Sequence, residues 1–455
     1  MASTYLTRTQ ESSANSQIFT YSTWVKRSGI TGAKQEMVSG GSASTDFDMF
    51  YFDASERLSY YSKTSNSENL DLATSRKFRD TSAWYHIVLS VDTTQGTASN
   101  RVKLYVNGVL ETAYDTSTYP SVNTNLFLNK ANQSQIIGRQ AYSAVDYFDG
   151  SMSHINFIDG TVYDATAFGE YDANGVWKIK TSPSVTYGTN GFFILKDGNS
   201  VTDQSGNGNN FTVGGGTLTN TEDSPSNVFN VLNAVSNPPN GYTLSNGNLE
   251  ATVSGQSFVR QFIANTIAPT SGKWYWESKL ITSGGSDRSR LGICSYEENI
   301  GTGTTVPQNE LSIATGSSRI RFTENGSTTE VDGFFTIPSA NDIFMYALDL
   351  DNTKFYFGIN GNWWNYNTAE TGGDPTSGSG YVTNSTNIIK GAMSLLINVQ
   401  AGAAATTFTN QFNFGNGYFG TTPVSSAGTN ASGNGIFEYD VPTGYTALST
   451  KGLNL

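Results

Sequence analysis

The stretch from Ile343 to Trp364 reads IFMYALDLDNTKFYFGINGNWW, three short strand segments joined by two tight turns. Phe344, Tyr346 and Leu348 fall on one face under the period of two that a pleated strand imposes. Asp351-Asn352 offers the first turn, and Phe355 and Phe357 then alternate with Lys354 and Tyr356. Asn360-Gly361 supplies the positive φ angles of a two-residue hairpin, and Trp363 and Trp364 follow at once. One hairpin cannot bury so aromatic a face by itself, so the pattern predicts a second sheet packed over it.

The composition of the whole chain agrees with that reading. Of 455 residues, 47 are Gly, 24 Tyr and 26 Phe, while only 14% are charged, which is the balance of an all-β protein rich in turns. The formal charge of −12 comes without clusters of Lys and Arg, which argues against nucleic acid and against an anionic membrane surface as partners. No apolar run reaches the length of a membrane span and no signal peptide precedes the first strand, so no membrane insertion is expected. The single cysteine, Cys294 in RLGICSY, alternates as a buried apolar residue and allows no disulfide within the chain. Asn-x-Ser/Thr triplets at Asn132, Asn210, Asn325 and Asn384 are what chance gives in so Asn- and Ser-rich a sequence.

Working outward, strands are predicted at Phe19–Gly29, at Phe47–Asp53 and at Leu58–Lys63, the last two as a hairpin. Trp84–Glu111 gives the clearest pair of the first half. Ile87, Leu89 and Val91 share one face, Val102, Leu104 and Val106 another, and Asn107-Gly108 makes a tight turn. A short helix is expected near Ala165–Phe168. Gly214 to Gly241, with its Gly run and its Ser-Pro, Asn-Pro and Pro-Pro steps, reads as a boundary. A second series of strands begins at Gln256–Ile263 and Lys273–Thr282 and ends near Phe414. The expected architecture is two serial antiparallel β-sandwiches of jelly-roll type, residues 1–215 and 241–455, with a linker at 216–240.

WYHIVLSVD and RVKLYVNG within residues 84–108, flanked by WVKRSG, IIGRQ and FDGSMSHINFIDG, resemble the laminin-G-like, concanavalin A-type jelly roll. GKWYWESKLITS at 272–283, RLGIC at 290–294, the stretch 343–364 and FNFGNGYF at 412–419 resemble the SPRY domain, although the long loop Tyr366–Asn387 departs from that family. The two sandwiches in one chain are similar to structural proteins of tailed bacteriophages, marine ones especially. That resemblance implies a virion-surface protein assembled in bacterial cytoplasm, with other virion proteins and a host-surface glycan or receptor as partners and a homo-oligomer, a trimer, as its state.

Four kinds of chemistry are open to residues of these types. A glycosidase needs two carboxyls flanking the scissile bond. Glu68 and Asp71 read as a polar, loop-like stretch and Asp349 with Asp351 as a turn, so neither makes a catalytic pair. His86 and His154 sit in strands and read as satisfied sandwich residues, and with one cysteine they make no zinc site of His and Cys ligands. Calcium is the one cofactor for which residues of suitable type are present, Asp159, Asp203, Asn207 and Asn209, which are also ordinary turn residues. Trp363, Trp364 and Tyr366 are the candidate sugar-stacking residues, against the plainer reading that one Trp fills the sandwich and the other is capped by the long loop. The expected function is non-enzymatic attachment by a fibre, spike or capsid-decorating subunit. A glycan-degrading tailspike enzyme and a purely cementing role are the alternatives.

Overall fold

The structure is a computed structural model that describes residues 3–10, 14–196, 201–235, 242–254, 265–283, 289–295, 309–315, 317–368, 370–399 and 407–454, and every count below is of these residues. The chain divides into two compact units, Met1–Asn220 with Ser224–Ser226, and Thr221–Asp223 with Asn227–Leu455.

The first unit holds β1 (Tyr5–Thr9), β2 (Ile18–Arg27), β3 (Gln35–Ala43), β4 (Asp46–Phe52), β5 (Arg57–Thr64), β6 (Ser67–Lys77), β7 (Tyr85–Asp92), β8 (Val102–Val106), β9 (Val109–Leu110), β10 (Tyr114–Thr118), β11 (Ser134–Ile137), β12 (Gly150–Asp159), β13 (Gly169–Tyr171), β14 (Trp177–Ile179), β15 (Phe192–Ile194) and β16 (Thr212–Gly215). They form an eight-stranded sheet in the order β10-β6-β5-β4-β3-β11-β1-β16 and a six-stranded sheet in the order β15-β12-β2-β7-β8-β9. Phe50, Phe52, Leu58, Tyr60, Leu70 and Leu72 of the larger sheet meet Tyr21, Ile87, Leu89, Val91 and Leu104 of the smaller in one core. The register Ile87↔Val106, Leu89↔Leu104 and Val91↔Val102 puts the alternating apolar residues of β7 and β8 on that core face. Asn107 at φ 48° and Gly108 at φ 83° close the turn after β8, as the sequence requires. The expected short helix is a single 3₁₀ turn, Ala165–Ala167, with the Asp164 side chain accepting from Thr166 N–H.

The outer face of the six-stranded sheet is covered as well. Val88 and Ile158 pack there against Ala165 and Phe168, with Trp177 beside them. The His86 ring stacks between Trp24, 4.9 Å away, and Trp177, 5.8 Å away. This second covered face is why β7 is buried along nearly its whole length rather than at alternate residues.

The second unit holds β17 (Tyr242–Ser245), β18 (Glu250–Ser254), β19 (Lys273–Ser283), β20 (Ser289–Ser295), β21 (Glu310–Ala314), β22 (Ile320–Glu324), β23 (Ser327–Val331), β24 (Ile343–Asp349), β25 (Lys354–Ile359), β26 (Asn362–Asn365), β27 (Glu370–Thr371), β28 (Met393–Val399), β29 (Thr407–Asn413), β30 (Tyr418–Phe419), β31 (Thr422–Pro423) and β32 (Thr446–Ala447). A large sheet runs β17-β18-β29-β19-β24-β25-β26-β27, with β32 parallel beside β19, and a five-stranded sheet runs β23-β22-β21-β20-β28. Phe344, Tyr346, Leu348, Phe355 and Phe357 face Leu291, Ile293, Leu311 and Ile313 across the core, so the meander is covered by a second sheet as its pattern demands. Cys294 is buried and forms no disulfide among the described residues. The strand expected at Gln256–Ile263 falls outside the described residues.

The other face of the meander is closed by the C-terminal segment. Met345, Ala347 and Tyr356 pack against Phe437, Val441, Tyr445 and Ala447, joined by Phe229. Glu277 of β19 anchors this cover. Its carboxylate accepts from the backbone N–H groups of Glu438 (2.9 Å) and Tyr439 (2.8 Å), from the Tyr275 hydroxyl (2.9 Å) and from Asn413 Nδ2 (3.2 Å). Burial still pushes its pKa up to about 7, against the lowering effect of those donors. Part of the stretch read as a linker belongs to this unit. Phe229, Val231 and Leu232 are core residues, and Asn230 Oδ1 accepts from Ile267 N–H at 2.9 Å.

Candidate functional site

The three aromatic residues proposed to stack on sugar do not share a face. Trp363 turns to the outer side, where its ring meets Tyr275 at 6.2 Å. Trp364 turns to the core side against Phe334 and Phe335, and Tyr366 lies there against Phe322 and Phe334. All three are half-buried and serve packing on two sides of one strand.

Asp159, Asp203, Asn207 and Asn209 gather around the backbone of residues 187–191, but as a clamp. Asp159 accepts from Asn15 N–H (2.9 Å), Asn129 Nδ2 (2.7 Å) and Asn190 N–H (3.0 Å). Asp203 accepts from Phe193 N–H, Ser205 N–H, the Ser205 hydroxyl and Asn209 N–H, all at 2.8–2.9 Å. The side-chain amides of Asn207 and Asn209 donate to the carbonyls of Gly188, Thr189 and Gly191. Every carboxylate oxygen here already has N–H or O–H donors, whereas calcium needs six to eight oxygens turned toward it. The residues therefore do not fit a calcium cage, and Asx turns explain their spacing. Asp159 also borders an open depression of about 600 Å³ with Asn15, Gln17 and Thr189, which has no aromatic wall.

The histidines are structural. His86 Nδ1 accepts from Trp177 Nε1 at 3.0 Å, so Nε2 carries the proton and donates to Ser22 Oγ at 2.9 Å. Burial pushes its pKa down to about 3. His154 sits at a bulge of β12 with φ 49°, paired through Nδ1 to Ser153 Oγ at 2.7 Å. Asp349 is held by Lys273 at 2.9 Å and by Asn352, which keep its carboxyl below the usual range although burial opposes them.

A better candidate lies on the outer face of the eight-stranded sheet, around a stretch whose local sequence is polar and loop-like. The register aligns Glu36, Tyr51, Ser59, Ala73 and Thr116 in one row across β3, β4, β5, β6 and β10. The small side chains of Ser59 and Ala73 make the floor of a trough of about 300 Å³. One wall is Lys34, Asp53 and Arg57, and the other is Tyr61 and its register partner Asp71. The walls stand four residues apart on β5, roughly 13 Å along the strand.

The polar groups of the trough are unequal. Arg57 is engaged on both sides, by Asp53 at 2.7 Å and by Asp115 at 3.1 Å. Asp53 also accepts from Ser55 and Arg57 N–H. Lys34 lies over the Tyr51 ring, 5.1 Å from its centre. Among the described residues the Asp71 carboxylate receives no hydrogen-bond donor. Its pKa is raised by burial first and by the neighbouring Glu68 second. Asp71 is thus a half-buried acceptor beside a Tyr ring, on β6 and not in a loop. The local sequence hid this because SENLDLATSRK is polar at both ends, and the trough around Asp71 also draws on Lys34, Tyr51 and Thr116 from outside its own hairpin.

Residues 1–166 match the profile of the concanavalin A-like lectin/glucanases superfamily. No curated protein matches the chain. Among solved structures, laminin α1 domains LG4-5 of mouse align at 10% identity over 90% of this chain and 85% of that one, with a TM-score of 0.28. The SPRY domain of human HERC1 aligns at 13% identity over 38% of this chain and 91% of that one, with a TM-score of 0.27. The CBM40 domain of the Ruminococcus gnavus IT-sialidase aligns at 15% identity over 33% and 80%, with a TM-score of 0.23. Likeness at these TM-scores bears on neither ligand nor activity. No helix among the described residues is long and apolar enough to cross a membrane.

Proposed function

We propose that this chain is a non-enzymatic attachment protein whose first unit binds glycans in the trough on its eight-stranded sheet. The observation that carries the reading is Asp71, a half-buried carboxylate without a donor among the described residues, set beside the Tyr61 ring above a floor of small residues. Sugar recognition asks for that combination, an aromatic surface for the C–H face and an acceptor for the hydroxyls. The lectin/glucanase profile over residues 1–166 supports it. The finer setting is a virion surface, as a fibre, spike or decoration subunit in a homo-oligomer, for which the support is the sequence resemblance. Mass measurement of the purified protein and its detection on particles test that setting.

A glycan array probed with wild type and Asp71→Asn tests the binding. Retention by the wild type with about tenfold loss in the variant, the worth of one good hydrogen bond, is expected. Equal retention by both would move the site elsewhere. One observation favours hydrolysis as a second reading, because a carboxyl raised by burial beside Glu68 has the character of a general acid. Following the same array over time separates the two, since release of bound sugar would replace the binding reading.

A further inference from the structure

We infer that the trough takes the terminal unit of a neutral oligosaccharide end-on, with the rest of the chain leaving over the edge strand β10; the inference rests on the glycan-binding reading above.

The two ends of the trough differ. Beyond Tyr51 the row continues to Glu36, which is fully buried. The segment after β11 lies across this end of the face. Asp146 O accepts from Glu36 N–H, Tyr142 packs on Phe47 at 4.6 Å, and Gln140 Nε2 reaches Met49. At the other end the row stops at Thr116, on the outermost strand of the sheet, where Asp115, Ser117 and Thr118 are exposed. A ligand therefore has one way in along the floor. The volume of about 300 Å³ is at the lower limit for ligand sites, room for one unit and not for a passing chain.

The charge of that unit follows from the partners already made. Lys34 and Arg57 face four carboxylates here, Asp53, Asp115, Glu68 and Asp71, and among the described residues Asp71 has no cation at ion-pair distance. An acidic sugar placed beside Tyr61 would meet Asp71 as a like charge. Paired hydroxyls of a neutral sugar would supply the donors that Asp71 lacks.

The full-length protein is tested with glucose-, galactose- and mannose-terminated oligosaccharides, the same chains ending in sialic or glucuronic acid, and the free methyl glycosides. Thr116→Trp crowds the open end, Ser59→Trp fills the floor, and Asp71→Asn is the milder variant should Ser59→Trp fail to fold. The expected result has three parts. A neutral methyl glycoside competes with its oligosaccharide. Thr116→Trp weakens the oligosaccharide about tenfold or more beyond any effect on the methyl glycoside, and Asp71→Asn weakens both alike. Equal binding of chains whose terminal unit is changed or made acidic, with Asp71→Asn still weakening them, overturns the end-on inference and leaves glycan binding standing. Binding that ignores Asp71→Asn and Ser59→Trp, or no binding to any probe, overturns both.

Discussion

Glu277 allows the energetics of the second unit to be tested through pH alone. Its pKa is about 7 in the folded chain against 4.5 for a free glutamate, a span of about 2.5 pH units. The folded state therefore holds the proton over a range in which the unfolded chain has released it. The stability from this group is complete below pH 4.5 and is lost as pH rises through about 7. At about 1.4 kcal/mol per pH unit the loss amounts to about 3 kcal/mol. The perturbation is Glu277→Gln, which removes the titration but turns an amide N–H₂ toward groups of which only the Tyr275 hydroxyl can accept. That mismatch lowers stability at pH 4.5 by about 1–3 kcal/mol. Urea unfolding of both proteins from pH 4 to 8 is the assay, and the difference between them cancels every other titrating group. The deficit of the variant is expected to shrink by about 3 kcal/mol between pH 4.5 and 7.5, and to change sign if the mismatch is small. Parallel profiles, or a deficit that grows with pH, would refute the account of Glu277 as a carboxylate held at the expense of its charge.

Three further outcomes follow from other sites. Arg27 is buried with its guanidinium on Glu56 at 2.5 Å and on Phe78 O at 2.7 Å. Arg27→Met should lose about 3–5 kcal/mol in chemical unfolding, with much of it regained by adding Glu56→Gln. Trp177 covers Gly108 and Gly169 so closely that a Cβ at either would lie 2.5 Å from the ring. Gly169→Ala should displace the β13–β14 hairpin and release His86 from the Nε2–H tautomer, read from its ¹⁵N shifts, whereas in wild type His86 stays neutral down to about pH 3. Gly292 sits in β20 where a Cβ would be 1.8 Å from Leu311 O, so Gly292→Ala should destabilise the second unit by about 3 kcal/mol or more in a denaturant titration.

Much of the fold was legible because strand alternation and tight turns are local signals. The pairs β7–β8 and β24–β25 are registered as their apolar alternation requires, and the turns at Asn107-Gly108 and Asn360-Gly361 return β8 to β9 and β25 to β26. What covers a second face is not local. Nothing within IFMYALD shows that Met345 and Ala347 meet a segment some 90 residues later, and nothing in Phe229–Leu232 separates a core strip from a linker. The site was less legible for the same reason. Conspicuous residues such as Trp363 and Trp364 mark packing, and Asp203 with Asn207 marks a clamp. The trough is made by residues 34, 51, 59, 71 and 116, none remarkable in its own window, which only the register of β3, β4, β5, β6 and β10 sets side by side.

The anchoring of residues 437–447 on β19 also fixes a schedule for synthesis. Glu277 finds its backbone donors 161 and 162 residues downstream, and β32 joins the large sheet only beside Trp274 and Tyr275. During translation the second sandwich must wait, with Met345, Tyr356 and Tyr275 uncovered, until residue 447 has left the ribosome. The first sandwich closes earlier in synthesis, once β16 has emerged to pair with β1. A stalled or shortened chain would thus carry one finished unit beside one sticky, unfinished one, and such nascent chains are where a chaperone would be found bound.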